Sequence, residues 1–291
     1  MYKLLFASLG GLLAALLPVC MVAAGAAQNP PSSNPAPSTT SATQTSTKPN
    51  ANDEFLANIG KLYYSTSKTG LKGFDCAVHP DWRALLVSAT QGSAIAADDH
   101  RILLLKTVKI KLHARLNGGF VLDWNPSSTL ERPMDQDSIH LFDLMHLGIG
   151  KTVQNFMQFW APLVNGRLVP SSSDGLEIIE TENGHRIRRG LNGSSLTEEF
   201  DSSLILKHFD LVTSGLTVRV ASTYRPTDQG MLVSGFLASY QPSGAPAGQA
   251  NEMRVEVVYQ TVGGSPIPAR VNVDDNNLRI NSVLDGCTVN P

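Results

Sequence analysis

The strongest constraint on the fold of this chain is a run of strand-like segments and tight turns between Leu176 and Val283. Asn183-Gly184 is a strong signal for a two-residue hairpin turn, and Ser214-Gly215 and Gly263-Gly264 separate further pairs of β-prone segments. Segments joined by such short turns pair with their neighbours in the chain. A long antiparallel meander of this kind curls into a barrel or an open half-barrel, so the pattern predicts a mostly antiparallel β fold.

Alternation of polar and apolar residues predicts further strands earlier in the chain. Val108–Leu116 alternates along its whole length, as a strand with one wet face and one dry face requires, and Asn117-Gly118-Gly119 turns it into Phe120–Trp124. With a partly alternating strand at Leu71–His79, the total is ten or eleven strands. The remaining predicted strands are Leu176–Thr181, Arg186–Arg189, Leu204–Thr213, Leu216–Tyr224, Leu232–Tyr240, Met253–Val262, Ile267–Val273 and Leu278–Val283.

Two main helices are predicted. Asp53–Ser67 has Asn52 as a candidate N-cap, acidic residues in its first turn and an apolar stripe. Ser138–Leu163 carries more apolar residues than a solvent-facing helix needs, and Gly148-Ile149-Gly150 is the place where it could break. A short helical piece follows Pro80, and residues 126–137 are predicted as a loop. The predicted fold class is therefore α+β, mostly antiparallel β: a single curved meander that forms an open β half-barrel, with an N-terminal helix and an inserted helical lid.

The first 27 residues have the three parts of a secretory signal peptide. Lys3 supplies the positive charge, Leu4–Leu17 is the apolar core, and Ala24-Gly25-Ala26 fits the small-residue rule for cleavage near Ala26. These features predict a periplasmic or secreted protein.

Two alternatives to a cleaved signal peptide stay open. The apolar run is long enough for an uncleaved membrane anchor, and Cys20 would be the lipid-modified residue of a lipoprotein, although Val19 stands where Gly, Ala or Ser is usual.

Residues 28–52 are predicted to be a disordered tether, because this Pro-, Ser-, Thr- and Asn-rich segment lacks the apolar side chains that offset chain entropy. The folded domain then covers residues 53–291. Lys3 and Lys48 are the only two of the 23 Lys and Arg residues that precede Asp53, whereas all 25 acidic residues lie from Asp53 onward, so the formal charge of the domain is −4. Nucleic-acid binding requires a basic face, so we expect no nucleic-acid partner, and we expect a monomer.

Two cysteines, Cys76 and Cys287, remain once the leader is removed. In an oxidising compartment an isolated pair is most simply a disulfide. This disulfide would join the first strand of the domain to the last, which favours one domain over two. The chain has no Cys-x-x-Cys motif, so nothing supports a redox or metal-binding role for the pair.

No catalytic motif is complete in the sequence. Gly150-Lys151-Thr152 resembles the end of a phosphate-binding loop but lacks the earlier glycine and the preceding strand. No motif indicates a hydrolytic triad, although a cleft that brings together His113 or His208 with Asp123 or Asp210 would supply acid–base chemistry. We therefore predict a non-enzymatic protein with no cofactor, no catalytic residue and no metal site.

The order of an N-terminal helix, a strand and repeated hairpins resembles the bacterial lipoprotein carriers of the LolA/LolB type. The resemblance lies in Leu71-Lys72-Gly73-Phe74 after the first helix, and in residues 215–220, 230–235 and 258–271. The last of these contains a Tyr-x-x-Val-x-Gly-x-x-Ile-Pro pattern. The resemblance covers most of residues 53–291, while the two cysteines and the segment around residues 85–105 depart from the simplest carriers.

The resemblance implies an open half-barrel that binds an apolar ligand or lipid beneath a helical lid, with no catalytic residue. In that arrangement helix 138–163 is the lid, and its candidate ligand-binding residues are Phe142, Met145, Phe156, Met157 and Trp160. Met and aromatic side chains adapt to irregular chains, and each buried CH₂ group gains about 0.8 kcal/mol. A carrier of this type should contain a lined cavity of several hundred Å³.

Two alternatives to the carrier stay open. Each of the five side chains could simply pack in the hydrophobic core, without binding a ligand. The whole protein could instead be a structural or interaction module of the cell envelope, tethered by residues 28–52, that uses its sheet to dock an envelope protein.

Overall fold

The computed structural model of the chain describes residues 50–290, apart from residues 91–92, 118, 126–135, 167–168, 247–249 and 276–277. The predicted signal peptide, nearly all of the predicted tether and most of the predicted loop at 126–137 lie outside the described residues. Within that part of the chain, no helix has both the length and the apolar character needed to cross a membrane.

The described residues contain twelve strands in one antiparallel sheet, one strand more than the largest predicted number. The strands are β1 (Gly73–Pro80), β2 (Lys109–Arg115), β3 (Phe120–Asn125), β4 (Leu176–Thr181), β5 (Gly184–Leu191), β6 (Ser194–Asp201), β7 (Leu206–Val212), β8 (Leu216–Thr227), β9 (Gly230–Pro242), β10 (Asn251–Val262), β11 (Ser265–Asp275) and β12 (Leu278–Asn290). Their order across the sheet is β3-β2-β1-β12-β11-β10-β9-β8-β7-β6-β5-β4. The predicted α+β class and the antiparallel meander are confirmed, and β6 is the strand that the sequence did not indicate.

The described residues also contain five helices: α1 (Ala51–Leu62), α2 (Thr66–Thr69), α3 (Trp82–Ala89), α4 (His100–Leu105) and α5 (Gln136–Asn165). The predicted N-terminal helix is thus shorter than expected, and Asn50 rather than Asn52 caps it, since the Asn50 side chain accepts a hydrogen bond from the Asn52 backbone at 3.2 Å. The predicted break in the long helix is wrong, because α5 continues through residues 148–150. Ile149 is only 2% exposed, and the burial of this side chain and its apolar neighbours on α5 offsets the roughly 1 kcal/mol that each of the two helical glycines costs.

The first strand of the domain pairs with the last. β1 is hydrogen-bonded to β12 from Gly73 opposite Asn290 to Pro80 opposite Ser282, and the predicted disulfide joins Cys76 and Cys287 across this pair. β2 and β3 extend the sheet beyond β1 by two hairpin-connected strands. The disulfide therefore reinforces the one contact in the sheet that joins the N-terminal strands to the C-terminal meander.

The sheet has an apolar inner face and a polar outer face, because successive side chains of a strand point to opposite sides. We call the side that carries Phe74 and Phe236 the inner face. Helix α5 packs on it over β9 to β12 and β1, with the ring of Phe159 5.7 Å from that of Phe236. Helix α1 packs over the other half, with the ring of Phe55 4.6 Å from that of His185 on β5. Two helices thus divide the inner face between them.

We expect the disulfide to stabilise the fold, because it restrains a loop of 211 residues in the unfolded chain. Adding reductant to the wild-type protein should lower the free energy of unfolding by about 2–5 kcal/mol, measured by chemical denaturation. The C76A/C287A variant should unfold like the reduced wild type and should not respond to reductant. Equal stability of the oxidised and reduced wild-type protein would contradict this expectation.

Candidate functional site

The five residues predicted to bind the ligand all lie on α5, and all are buried between that helix and the inner face. Their exposed fractions do not exceed 6%. Phe142, Met145, Phe156 and Trp160 follow one another at spacings of three, eleven and four residues, about one, three and one turns, which places them on one side of the helix. Trp160 packs edge-on against Phe74 of β1 at 6.0 Å and stacks on Phe156 at 5.4 Å. The structure therefore brings the predicted residues together, packed against the sheet.

A short hydrogen-bond chain connects α5 to two strands. The Trp160 indole Nε1 donates to the Tyr259 hydroxyl at 2.8 Å, and that hydroxyl donates to the Val233 carbonyl at 2.7 Å. Burial raises the pKa of Tyr259, so its phenol stays neutral and can donate. This chain fixes the C-terminal half of α5 over β9 and β10.

The space between α5 and the sheet is small. An apolar cavity of about 30 Å³ remains there, enough for about one water molecule. Its walls are Val78, Leu112, Ile149, Thr152, Val153, Phe156, Val271, Val273, Ile280, Ser282 and Leu284. Among the described residues, the expected cavity of several hundred Å³ is thus not found beneath the helix, because the side chains of α5 fill that part of the inner face.

A larger cavity, of about 320 Å³, opens beside the end of β1. It is enclosed by β1, α3, α4 and the residues leading into β2, and its walls are Val78, His79, Pro80, Asp81, Trp82, Arg83, Ala97, Ile102, Lys106 and Val108. The sequence did not predict this cavity, because α4 falls in a segment without a clear helical pattern. Val78 is a wall of both this cavity and the narrow one beneath α5.

The half of the inner face beneath α1 contains a buried charged pair. Glu198 of β6 is 0% exposed, and its nearest cation is the Arg189 Nη2 at 3.6 Å. Neither carboxylate oxygen of Glu198 has a hydrogen-bond partner among the described residues. Burial raises the pKa of Glu198 to about 7, and the charge of Arg189 opposes that rise.

The end of α1 is held beside this pair by Tyr63. The Tyr63 hydroxyl accepts a hydrogen bond from the Leu206 backbone at 2.6 Å and donates to the Leu204 carbonyl at 3.1 Å. Burial raises the pKa of Tyr63 to about 12. Tyr63 therefore pins α1 to the turn between β6 and β7.

The sequence did not indicate Glu198 as an inner-face residue. Asn192 and Gly193 both have positive φ and form the turn of the β5–β6 hairpin. An Asn-Gly dipeptide between two β segments favours such a hairpin. The alternation of Leu196, Glu198 and Phe200 would then have placed a carboxylate on the apolar face.

We predict that ionisation of Glu198 destabilises the fold. Its folded-state pKa of about 7 lies above the unfolded value of 4.5, so its contribution is fully present below pH 4.5 and is lost as the pH rises through 7. The full loss corresponds to about 3 kcal/mol. E198Q stays uncharged, so its free energy of unfolding should fall less between pH 5 and pH 8.

Glu199, on the outer face of the same strand, provides the matched control. An equal change in the pH dependence of E198Q and E199Q, measured by denaturation, would contradict the assignment.

The candidate acid–base residues form ion pairs on the outer face of the sheet. His113 of β2 lies between two carboxylates: its Nδ1 is 2.7 Å from Asp75 and its Nε2 is 3.1 Å from Asp123. Hydrogen bonding to Asp75 is the main cause of the raised pKa of His113. The imidazolium thus bridges three adjacent strands. The other candidate, His208, lies 3.9 Å from Asp210, which accepts two hydrogen bonds from Arg219.

We expect the ion pairs of His113 with Asp75 and Asp123 to stabilise the fold most in mildly acidic solution. The raised pKa of His113 means that its contribution is present below about pH 6.5 and is lost as the pH rises through the folded-state value. The lowered pKa of Asp75 means that its contribution is lost only in stronger acid. An NMR titration of the imidazole should show D75N lowering the pKa of His113 more than D123N does. A larger effect of D123N would contradict this order.

Among the described residues, no cluster of three or more His, Cys, Asp or Glu side chains is arranged to hold a metal ion. No protein-family model matches the chain, and no curated protein sequence matches it.

Proposed function

We propose that this protein is a secreted or periplasmic, non-enzymatic carrier for a lipid, a lipoprotein acyl chain or another apolar ligand, and that α5 occupies the ligand's place when no ligand is bound. The observation that carries the proposal is the set of aromatic and Met side chains that α5 buries on the inner face of an open sheet. Such side chains are exchangeable for an acyl chain, because apolar burial is non-directional and depends mainly on area.

The contacts of α5 support a helix that could leave the sheet while staying attached at one end. Its last residue, Asn165, makes polar contacts on several sides. The Asn165 carbonyl accepts from the Ser65 hydroxyl at 3.1 Å, and its side chain hydrogen-bonds Thr66 and the Leu116 carbonyl. Gly166 follows with a φ of +67°, the left-handed conformation in which a glycine commonly ends a helix.

The rest of α5 is attached to the sheet mainly through apolar contacts. Among the described residues, α5 makes one side-chain hydrogen bond to a strand side chain, from Trp160 to Tyr259. Moving the helix away from the sheet would therefore break few directional interactions. An acyl chain entering there would restore the apolar contacts of the sheet, while the displaced helix would touch the ligand only through flexible side chains such as Met145 and Met157.

The predicted location agrees with this role. The Cys76–Cys287 disulfide suits an oxidising compartment outside the cytoplasm, where an exported carrier would work. The resemblance of residues 53–291 to the LolA/LolB carriers points to the same class of ligand.

We predict that weakening the attachment of α5 raises the affinity for the ligand. Y259F removes the hydroxyl that Trp160 and Val233 share, at a cost to the closed arrangement of about 1 kcal/mol. If the ligand binds only when α5 is displaced, its apparent Kd should fall by about fivefold. Titration with a fluorescent fatty acid measures this change.

Tyr240 provides the matched control for that substitution. It is also a partly buried inner-face tyrosine near α5, with its ring 6.1 Å from that of Phe159, but its buried hydroxyl has no hydrogen-bond partner among the described residues. Y240F should leave the Kd unchanged. Tighter binding by both variants would indicate general loosening of the fold, and absence of binding by the wild type would contradict the carrier proposal.

The second candidate function is a docking module of the cell envelope. It is favoured by the small cavity beneath α5 and by apolar side chains on the outer face, where Val258 and Val283 are 50% and 42% exposed. These two residues flank Arg270 across β10, β11 and β12. A protein that binds no fatty acid, yet is retained by envelope proteins through this surface, would favour the module over the carrier.

A further inference from the structure

The cavity of about 320 Å³ beside β1 combines apolar walls with two cationic side chains. Trp82 and Ile102 form part of its apolar wall and are buried. Arg83 and Lys106 lie at its rim and are exposed. This combination differs from the narrow cavity beneath α5, whose walls are almost entirely apolar.

The other two ionisable groups in the wall are already engaged. The Asp81 carboxylate accepts a hydrogen bond from the Ala84 backbone at 3.0 Å and so caps α3. The His79 Nε2 lies 3.0 Å from Asp285. The Asp81 carboxylate does not lie within 4.0 Å of the nitrogen atoms of either cation.

The two cations lack carboxylate partners within the described part of the chain. Arg83 donates from Nε to the Ile95 carbonyl at 3.1 Å, which fixes its guanidinium at the rim, but no described carboxylate lies within 4.0 Å of Arg83 or Lys106. An anion bound there would gain charge-assisted hydrogen bonds without displacing an internal partner.

This cavity lies next to the proposed acyl site. Val78 of β1 lines the cationic cavity and also the apolar space beneath α5. A ligand with a charged head in the first space could therefore place an apolar tail against the second.

We propose that the carrier's ligand is a single-chain amphiphile with an anionic head, carboxylate or phosphate, which binds in the cavity at Arg83 and Lys106 while its chain lies beneath α5. This inference rests on the proposed carrier function and specifies its ligand class. The head would pair with the two cations, and the chain would take the place that α5 side chains fill when the site is empty.

Calorimetric titration of the full chain with decanoate, decyl phosphate and decanol tests this inference, since the three probes share a chain and differ in the head. The wild-type protein should bind both anionic probes about tenfold or more tightly than decanol, the gain expected from charge-assisted hydrogen bonds. R83Q/K106Q should lose this preference and keep its affinity for decanol. K109Q/K111Q, which removes two exposed lysines from β2, is the matched control and should keep the preference.

The outcomes separate this inference from the carrier proposal. Equal affinity of the wild type for all three probes would contradict the proposal that the ligand has an anionic head. So would an undiminished preference for the anionic probes in R83Q/K106Q. Either result would leave the proposed carrier function standing. If inorganic phosphate displaced decyl phosphate at an equal concentration, the cavity would be a site for a free anion. That result would contradict the proposal that the ligand is an amphiphile. Absence of binding by all three probes would overturn both the carrier proposal and the ligand class.

Discussion

The inner face of the twelve-stranded sheet must be kept from water, and the arrangement of the helices follows from that requirement. An open sheet has no second sheet to cover its apolar side, so other elements have to bury it. Helices α1 and α5 divide this task, with α5 packing Trp160 against Phe74 on β1. Because the burial of apolar surface is non-directional, whatever covers this face can in principle be exchanged for another apolar group of similar shape.

The two halves of the inner face differ in how firmly they are covered. Beneath α1 the packing includes the buried Glu198 beside Arg189, and the Tyr63 hydroxyl hydrogen-bonds the Leu204 carbonyl, between β6 and β7, and the backbone N–H of Leu206, the first residue of β7. These hydrogen bonds attach the end of α1 directly to the sheet, so this half is suited to stay closed. Beneath α5 the contacts are mainly apolar, and the polar contacts concentrate at Asn165. The asymmetry favours α5 as the element that yields to a ligand.

Much of the fold could be predicted because its signals are local. The Asn183-Gly184 signal predicted the β4–β5 hairpin, although the two turn residues are Glu182 and Asn183 and Gly184 already belongs to β5. Val108–Leu116 alternates so regularly that only a two-faced strand fits. The pairing of β1 with β12 is a long-range contact, yet the two cysteines indicated it. Strand β6 was not predicted, because Glu198 interrupts the apolar alternation that would otherwise indicate a strand on the inner face.

The candidate site was harder to predict, for a physical reason. The spacing of Phe142, Met145 and Trp160 indicates which side of α5 is buried, but a side chain that packs against the sheet and one that lines a ligand site have the same periodicity. The cavity at Arg83 depends on how α3 and α4 pack beside β1, and no local pattern encodes that packing.

Hydrogen–deuterium exchange of α5 in the presence and absence of decanoate tests the central claim most directly. An isolated helix that has left its packing surface is only marginally stable, so its backbone amides exchange faster. If the ligand takes the place of α5 on the inner face, peptides from Gln136–Asn165 should lose protection when decanoate binds, while those from β9 to β12 should keep it. Binding of decanoate with the protection of α5 unchanged or increased would contradict the account.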